Sequence, residues 1–99
     1  VLRVISMGDE FDCDGFMDAI CERLGKVAEI NLYVLKKQLR TLGITCDNMT
    51  PSDAERLIDG VVKAISSWVG AEGSRRLRMA LRSELRKYAP EYFREKYGV

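Results

Sequence analysis

The residues best equipped for chemistry crowd into one stretch, "GDEFDCDGFMDAICE", residues 8–22, which holds four Asp, two Glu and two Cys. Such a set could form a calcium loop, a thiol site or the acidic start of a helix. A calcium loop follows D-x-[DN]-x-[DN]-G-x5-E. Setting Gly15 at its sharp turn puts Glu10, Asp12 and Asp14 at the first ligand positions, but Cys21 then stands where the loop needs a bidentate Glu. The stretch therefore reads as a cap: Asp12 or Asp14 starts a helix, and the acidic side chains favour the positive end of its dipole. The chain has no His, which removes the base of Cys–His and Ser–His mechanisms, and with no CxxC either it lacks the usual zinc ligand spacings. It also has no phosphate-cradling GxxxxGK[ST] or GxGxxG. The expectation is a protein without catalytic residues, metal or cofactor.

Cys13, Cys21 and Cys46 are odd in number, which argues against a closed disulfide framework and for a reducing, cytoplasmic setting. On one helix, Cys13 and Cys21 would lie roughly 12 Å apart, too far to bridge. Cys21, beside Ile20, reads as a small hydrophobe. No apolar run approaches the ~20 residues that span a bilayer.

Charge is unevenly placed. Residues 1–60 hold seven Lys/Arg against eleven Asp/Glu, and residues 61–99 nine against four, so the two parts carry −4 and +5. Within "SRRLRMALRSELRK", Arg75, Arg78, Arg82 and Arg86 follow at steps of three, four and four, along one side of a helix, with Arg76 and Lys87 widening the band. Such a row could meet the phosphates of a nucleic acid or another anionic partner. The alternative is pairing with acidic residues of the first helix, or a wet face whose stems cover apolar surface. Lys36, Lys37 and Arg40 add a second basic group. The segment "LYVLKKQLRTLGI", residues 32–44, resembles the recognition helix of Fis-type helix-turn-helix proteins. The Gly-centred turn that precedes that helix in the family is replaced here by "VAEIN", so the likeness covers thirteen residues and no family follows from it. Tyr88, Tyr92, Phe93 and Tyr97, with Arg86, Lys87, Arg94 and Lys96 among them, offer either a stacking platform for single strands or the means to dock a last short helix.

The elements that must carry these residues are helices. Phe16, Met17, Ile20 and Leu24 recur at helical spacing over 14–24, with Gly25 as a stop or a bend. A second helix over 27–42 has Val27, Ile30 or Asn31, Val34, Leu35, Leu39 and Leu42 on its apolar stripe, and "LGI" ends it with Gly43 left-handed and Ile44 folding back. "TPSDAERL" is the strongest local signal: Thr50 caps, Pro51 takes the first helical position, and Asp53 and Glu55 follow near the positive end. The helix over 51–69 then shows Ala54, Leu57, Ile58, Val61, Val62, Ile65, Trp68 and Val69 on one broad face. After a break in "GAEGS", a helix over 73–88 carries Leu77, Leu81, Leu85 and Tyr88, and Pro90 opens a short one over 90–97. The expected core is Ile20, Leu24, Leu35, Leu39, Leu57, Ile58, Val61, Val62, Ile65, Trp68, Leu77, Leu81 and Leu85. Residues 1–7, "VLRVISM", are apolar and could be a short strand, a first helical turn or an apolar arm that packs on a partner.

Ninety-nine residues make one domain able to bury a real core. The fold class is all-α: a compact bundle of four to five helices, mainly antiparallel. The expected function is a small non-enzymatic, intracellular interaction or regulatory domain acting through helix surfaces, with a protein partner or itself, possible as a homodimer and without a membrane. The first alternative is nucleic-acid binding through the arginine band, and the second a bundle that holds a small molecule or lipid.

Overall fold

The computed structural model describes residues 11–27 and 29–98, and the apolar arm expected over 1–7 lies outside them. Asp12 does cap the first helix: its side chain accepts the Gly15 N–H at 3.0 Å. This helix, α1, runs Cys13–Val27 and buries Cys13, Phe16, Ile20 and Leu24 along one stripe. Gly25 does not stop it. A reversal follows, and α2 runs Ile30–Leu42. Asn31, rather than Ile30, turns inward. It is fully buried and donates from Nδ2 to the Leu24 carbonyl at 3.2 Å, satisfying one of the orphan acceptors at the end of α1.

The exit from α2 follows the sequence closely. Gly43 is left-handed (φ 69°), its N–H reaches the Arg40 carbonyl, and the Ile44 N–H reaches the Leu39 carbonyl while Ile44 itself is buried. This is the doubled C-terminal hydrogen-bond motif that a left-handed glycine permits. Asn48 then ties the connecting turn, accepting from the Thr45 N–H at 2.9 Å. Thr50 opens α3, Pro51–Tyr88, with a reciprocal box: Thr50 Oγ1 accepts from the Asp53 N–H at 3.1 Å, and the Asp53 carboxylate accepts from the Thr50 N–H at 3.2 Å. Thr50→Ala removes half of this box and is expected to cost about 1 kcal/mol of stability. Urea denaturation checks this against Ser52→Ala, whose exposed side chain should change stability by less than about 0.5 kcal/mol.

Within α3 the helical dihedrals break at Gly70 (φ 78°, ψ 174°), a region open to glycine and nearly closed to other residues. The break expected over 70–74 thus narrows to one residue. The ion pairs show what it does. Arg82 meets Glu55 at 3.1 Å and Arg78 meets Asp59 at 3.4 Å. Four residues back along one limb correspond to four forward along the other, which is the register of an antiparallel hairpin. Limbs 51–69 and 71–88 therefore lie side by side, and Gly70 is their turn. The last helix, α4, runs Pro90–Tyr97 and rests on α3.

The all-α, mainly antiparallel bundle expected from the sequence is what forms: α1, α2 and the two limbs of α3 enclose one core, with α4 added outside, and no strand occurs among the described residues. Of the expected core, Ile20, Leu24, Leu35, Leu57, Ile58, Val61, Val62, Ile65, Leu77, Leu81 and Leu85 are buried. Leu39 is half-buried at the edge. Trp68 is a correction: it is 51% exposed. Its direction along the helix is that of Leu57, Val61 and Ile65, but no residue from 66 to 76 is buried. The hairpin tip projects past the neighbouring helices, so an inward-facing position there meets no core.

Candidate interaction surfaces

The acidic stretch that heads the sequence has been absorbed by the fold. Asp12 is the cap, and Cys13 is joined to Cys46 by a disulfide 33 residues along the chain. The odd cysteine count argues against a closed disulfide framework; the structure closes one bridge and leaves Cys21 free. The Cys13 sulfur also packs 3.7 Å from that of Met49, so the bridge closes the end where α1 begins onto the connection between α2 and α3. Cys46 is exposed. Cys21 is half-buried, and burial, reinforced by Asp18 and opposed by Lys36, raises its thiol pKa. It therefore remains a protonated thiol near neutral pH, a weak nucleophile.

The arginine band is brought onto the limb 71–88, but its partners are not those expected. Instead of acidic residues of α1, Arg75 and Arg76 meet Glu72 on their own helix, and Arg78 and Arg82 meet Asp59 and Glu55 on the opposite limb. Between α1 and this limb the signs are reversed: Arg23 of α1 meets the buried Glu84 at 2.6 Å, and Lys87 reaches the same carboxylate at 3.6 Å. Arg86 of the band has no ion pair among the described residues, and neither have Lys36, Lys37 and Arg40 on α2. All four are exposed.

Glu55 is the centre of the most connected polar group, which nothing in its local sequence announced. Its carboxylate accepts from the Tyr92 hydroxyl at 2.5 Å, the Tyr97 hydroxyl at 2.5 Å and Lys96 Nζ at 2.7 Å, besides the Arg82 pair. Burial alone would push the Glu55 carboxyl up, but the donors Lys96, Tyr92 and Tyr97 together outweigh it and hold the pKa at about 2 instead of 4.5. The same bonds raise the pKa values of Lys96 and Tyr97. Arg82 lies 5.0 Å above the Tyr97 ring and 5.8 Å above the Phe93 ring. The aromatic residues of α4 are thus engaged in docking α4: Phe93 is buried, and both tyrosine hydroxyls are given to Glu55.

Two surface grooves among the described residues bear on these side chains. One, of about 360 Å³, is lined by Arg78, Met79, Arg82, Ser83, Arg86 and Phe93. It carries three guanidinium groups and a Met79 side chain that is 66% exposed. The other, of about 760 Å³, lies between α1 and the limb 71–88 over Ala19, Ala80 and the Arg23–Glu84 pair. Six of its twelve lining residues are charged, with both signs present, which suits neither a lipid chain nor an apolar small molecule.

A third feature is an apolar end. Val27 and Ile30 flank the α1–α2 reversal, Tyr33 stands one turn into α2, and all three are exposed. Gly60 of α3 faces Gln38 so closely that an added Cβ would sit 2.5 Å from Oε1. Since α2 runs antiparallel to the limb 51–69, its first turn lies toward the hairpin tip, where Trp68 is exposed. Four of the six large exposed hydrophobic residues are therefore at one end of the bundle.

No protein-family model, curated protein or solved structure matches this chain. No group of three potential metal-ligating side chains gathers among the described residues, and none of their helices is long and apolar enough to cross a membrane.

Proposed function

We propose that this chain is a non-enzymatic interaction domain that works through its helix surfaces and self-associates through its apolar end. The observation that supports the reading is the gathering of Val27, Ile30, Tyr33 and Trp68 around one end with nothing of the described fold laid over them. Large apolar side chains grouped in this way on a small domain mark a contact surface. A two-fold contact needs a patch that complements itself. This end carries exposed Lys26 and Glu29 beside the apolar residues, so each can face the other's counterpart across a dyad. A net charge of +1 offers little repulsion to association.

Trp68 is the residue to change, because half of its surface is exposed and it lies outside the buried core. Trp68→Glu is expected to leave the midpoint of thermal unfolding of the separated chains nearly unchanged and to abolish the dimer in sedimentation velocity. A wild-type chain that stays monomeric up to its solubility limit would overturn the self-association reading.

The Cys13–Cys46 bridge favours an oxidising compartment over the cytoplasmic address expected from the cysteine count. Nucleic-acid binding draws its support from Arg86, Lys36, Lys37 and Arg40, exposed and without ion pairs among the described residues. It is weakened at Arg75, Arg78 and Arg82, where Glu72, Asp59 and Glu55 put negative charge beside the band and would repel a continuous polyanion. The small-molecule or lipid reading has the mixed-charge groove over Arg23 and Glu84 as its site, and that lining counts against it.

A further inference from the structure

We propose that the groove lined by Arg78, Met79, Arg82, Ser83 and Arg86 binds an acidic amphipathic helix of a partner protein, with carboxylates four residues apart and an apolar side chain between them. This surface is separate from the apolar end, and the proposal is independent of self-association.

Three observations carry it. The first is spacing. Arg78, Arg82 and Arg86 succeed one another every four residues, a rise of about 6 Å per step, which is the spacing of carboxylates at i, i+4 and i+8 on a second helix. The second is that the fold already makes this recognition once. Glu55 and Asp59, four apart on the limb 51–69, take Arg82 and Arg78 across an antiparallel pair. Arg86 extends the same row with no ion pair among the described residues, and planar guanidinium groups hold donors enough for a second carboxylate each. The third is the apolar anchor. Met79 lies exposed among the arginines, and the buried Phe93 of α4 also lines the groove. An unbranched, polarisable, 66% exposed Met79 suits an apolar residue from an incoming helix.

The same details disfavour a nucleic-acid strand on this face. Glu55 and the exposed Asp59 stand beside the row and would repel a continuous polyanion, whereas a helix with spaced carboxylates can avoid them. Stacking needs a free aromatic face; Phe93 is buried and the Tyr92 and Tyr97 rings lie under Lys96 and Arg82.

The test is a titration of the full chain into a labelled, capped helical peptide of about 15 residues with Glu at i, i+4 and i+8 and Leu at i+3 and i+7, read by fluorescence anisotropy. Comparison probes are the same peptide with Lys for Glu, and a generic DNA duplex and single strand. The acidic peptide should bind, the Lys peptide should not, and binding should fade with salt. Arg86→Glu should weaken it by about tenfold and Met79→Ser by severalfold. Lys63→Glu, an exposed charge change on the other limb, should leave it unchanged, and circular dichroism should show all variants folded. Repeating the titration in Trp68→Glu separates this result from the state of the dimer. Absence of peptide binding, or binding indifferent to Arg86→Glu and Met79→Ser, overturns the proposal. DNA that binds more tightly than the peptide with the same sensitivity to Arg86→Glu also overturns it and gives the face to nucleic acid.

Discussion

Opening the Cys13–Cys46 bridge is expected to cost about 4 kcal/mol, the loop-closure value for a crosslink over some thirty residues. The two cysteines stand 33 residues apart in the chain. In the oxidised chain the unfolded state cannot let the start of α1 drift from the turn at Thr45–Asn48; in the reduced chain it can. For a domain of this size such a loss lowers the unfolding midpoint by on the order of 15 to 30 °C. Calorimetry with and without reductant would measure it. Cys46→Ser is the cleaner variant, because Cys46 is exposed and Cys13 stays buried against Met49. Wild type in reductant and Cys46→Ser should melt together, and thiol titration of the unreduced wild type should find Cys21 alone. Three free thiols in the native protein, or equal melting with and without reductant, would show that the bridge does not hold the fold.

Glu55→Gln is the second large effect, expected at about 2 to 3 kcal/mol, since it withdraws the negative charge to which several donors are aimed. Tyr92, Tyr97 and Lys96 all come from α4, and Arg82 from the opposite limb. The amide can accept some of these bonds but offers no ionic partner to Lys96 or Arg82. A pH signature separates this from a packing fault. The folded pKa of Glu55, about 2, lies below its ordinary 4.5. A carboxylate depressed in this way contributes stability that is complete above about pH 4.5 and is lost as pH falls toward 2. The gap between wild type and Glu55→Gln should accordingly be widest near neutral pH and shrink through that window. Urea denaturation at several pH values checks it; a gap independent of pH would mean that the charge is not what matters.

What the sequence could reveal, and what it hid, divides along a physical line. Local chemistry was readable. Gly43 with Ile44, and Thr50 with Pro51 and Asp53, act within four residues of themselves, and each forms the motif its side chains dictate. Helical periodicity also placed Leu57, Val61, Ile65, Leu77, Leu81 and Leu85 on the right faces. Periodicity gives direction, however, and not depth, so Trp68 shares the direction of the core but lies beyond its end. Position 31 shows the converse: Asn31 is buried with its amide on the Leu24 carbonyl of α1, a polar residue that periodicity alone does not direct inward, while Ile30 beside it is exposed.

Partners far apart in the chain were not readable. An odd cysteine count is compatible with one bridge and one free thiol, and choosing Cys13 with Cys46 requires knowing that α1 starts beside the α2–α3 turn. The arginine band was legible as a row, but its partners were set by the hairpin register at Gly70, which puts Glu55 and Asp59 across from it. The Glu55 group draws on α4, 37 to 42 residues away, and no pattern in "DAERL" marks it.

One consequence of how α4 is attached reaches further. Among the described residues it packs on α3 and on no other helix. Detaching it would uncover Phe93 and Ala89 and free Glu55, while Phe16, Leu24, Leu35 and Leu57 stayed enclosed by α1, α2 and the hairpin. Opening of α4 alone would break fewer contacts than global unfolding and so can cost less. Phe93, which lines the arginine-rich groove, would leave with it, so an occupant that touches Phe93 favours the docked α4 by mass action.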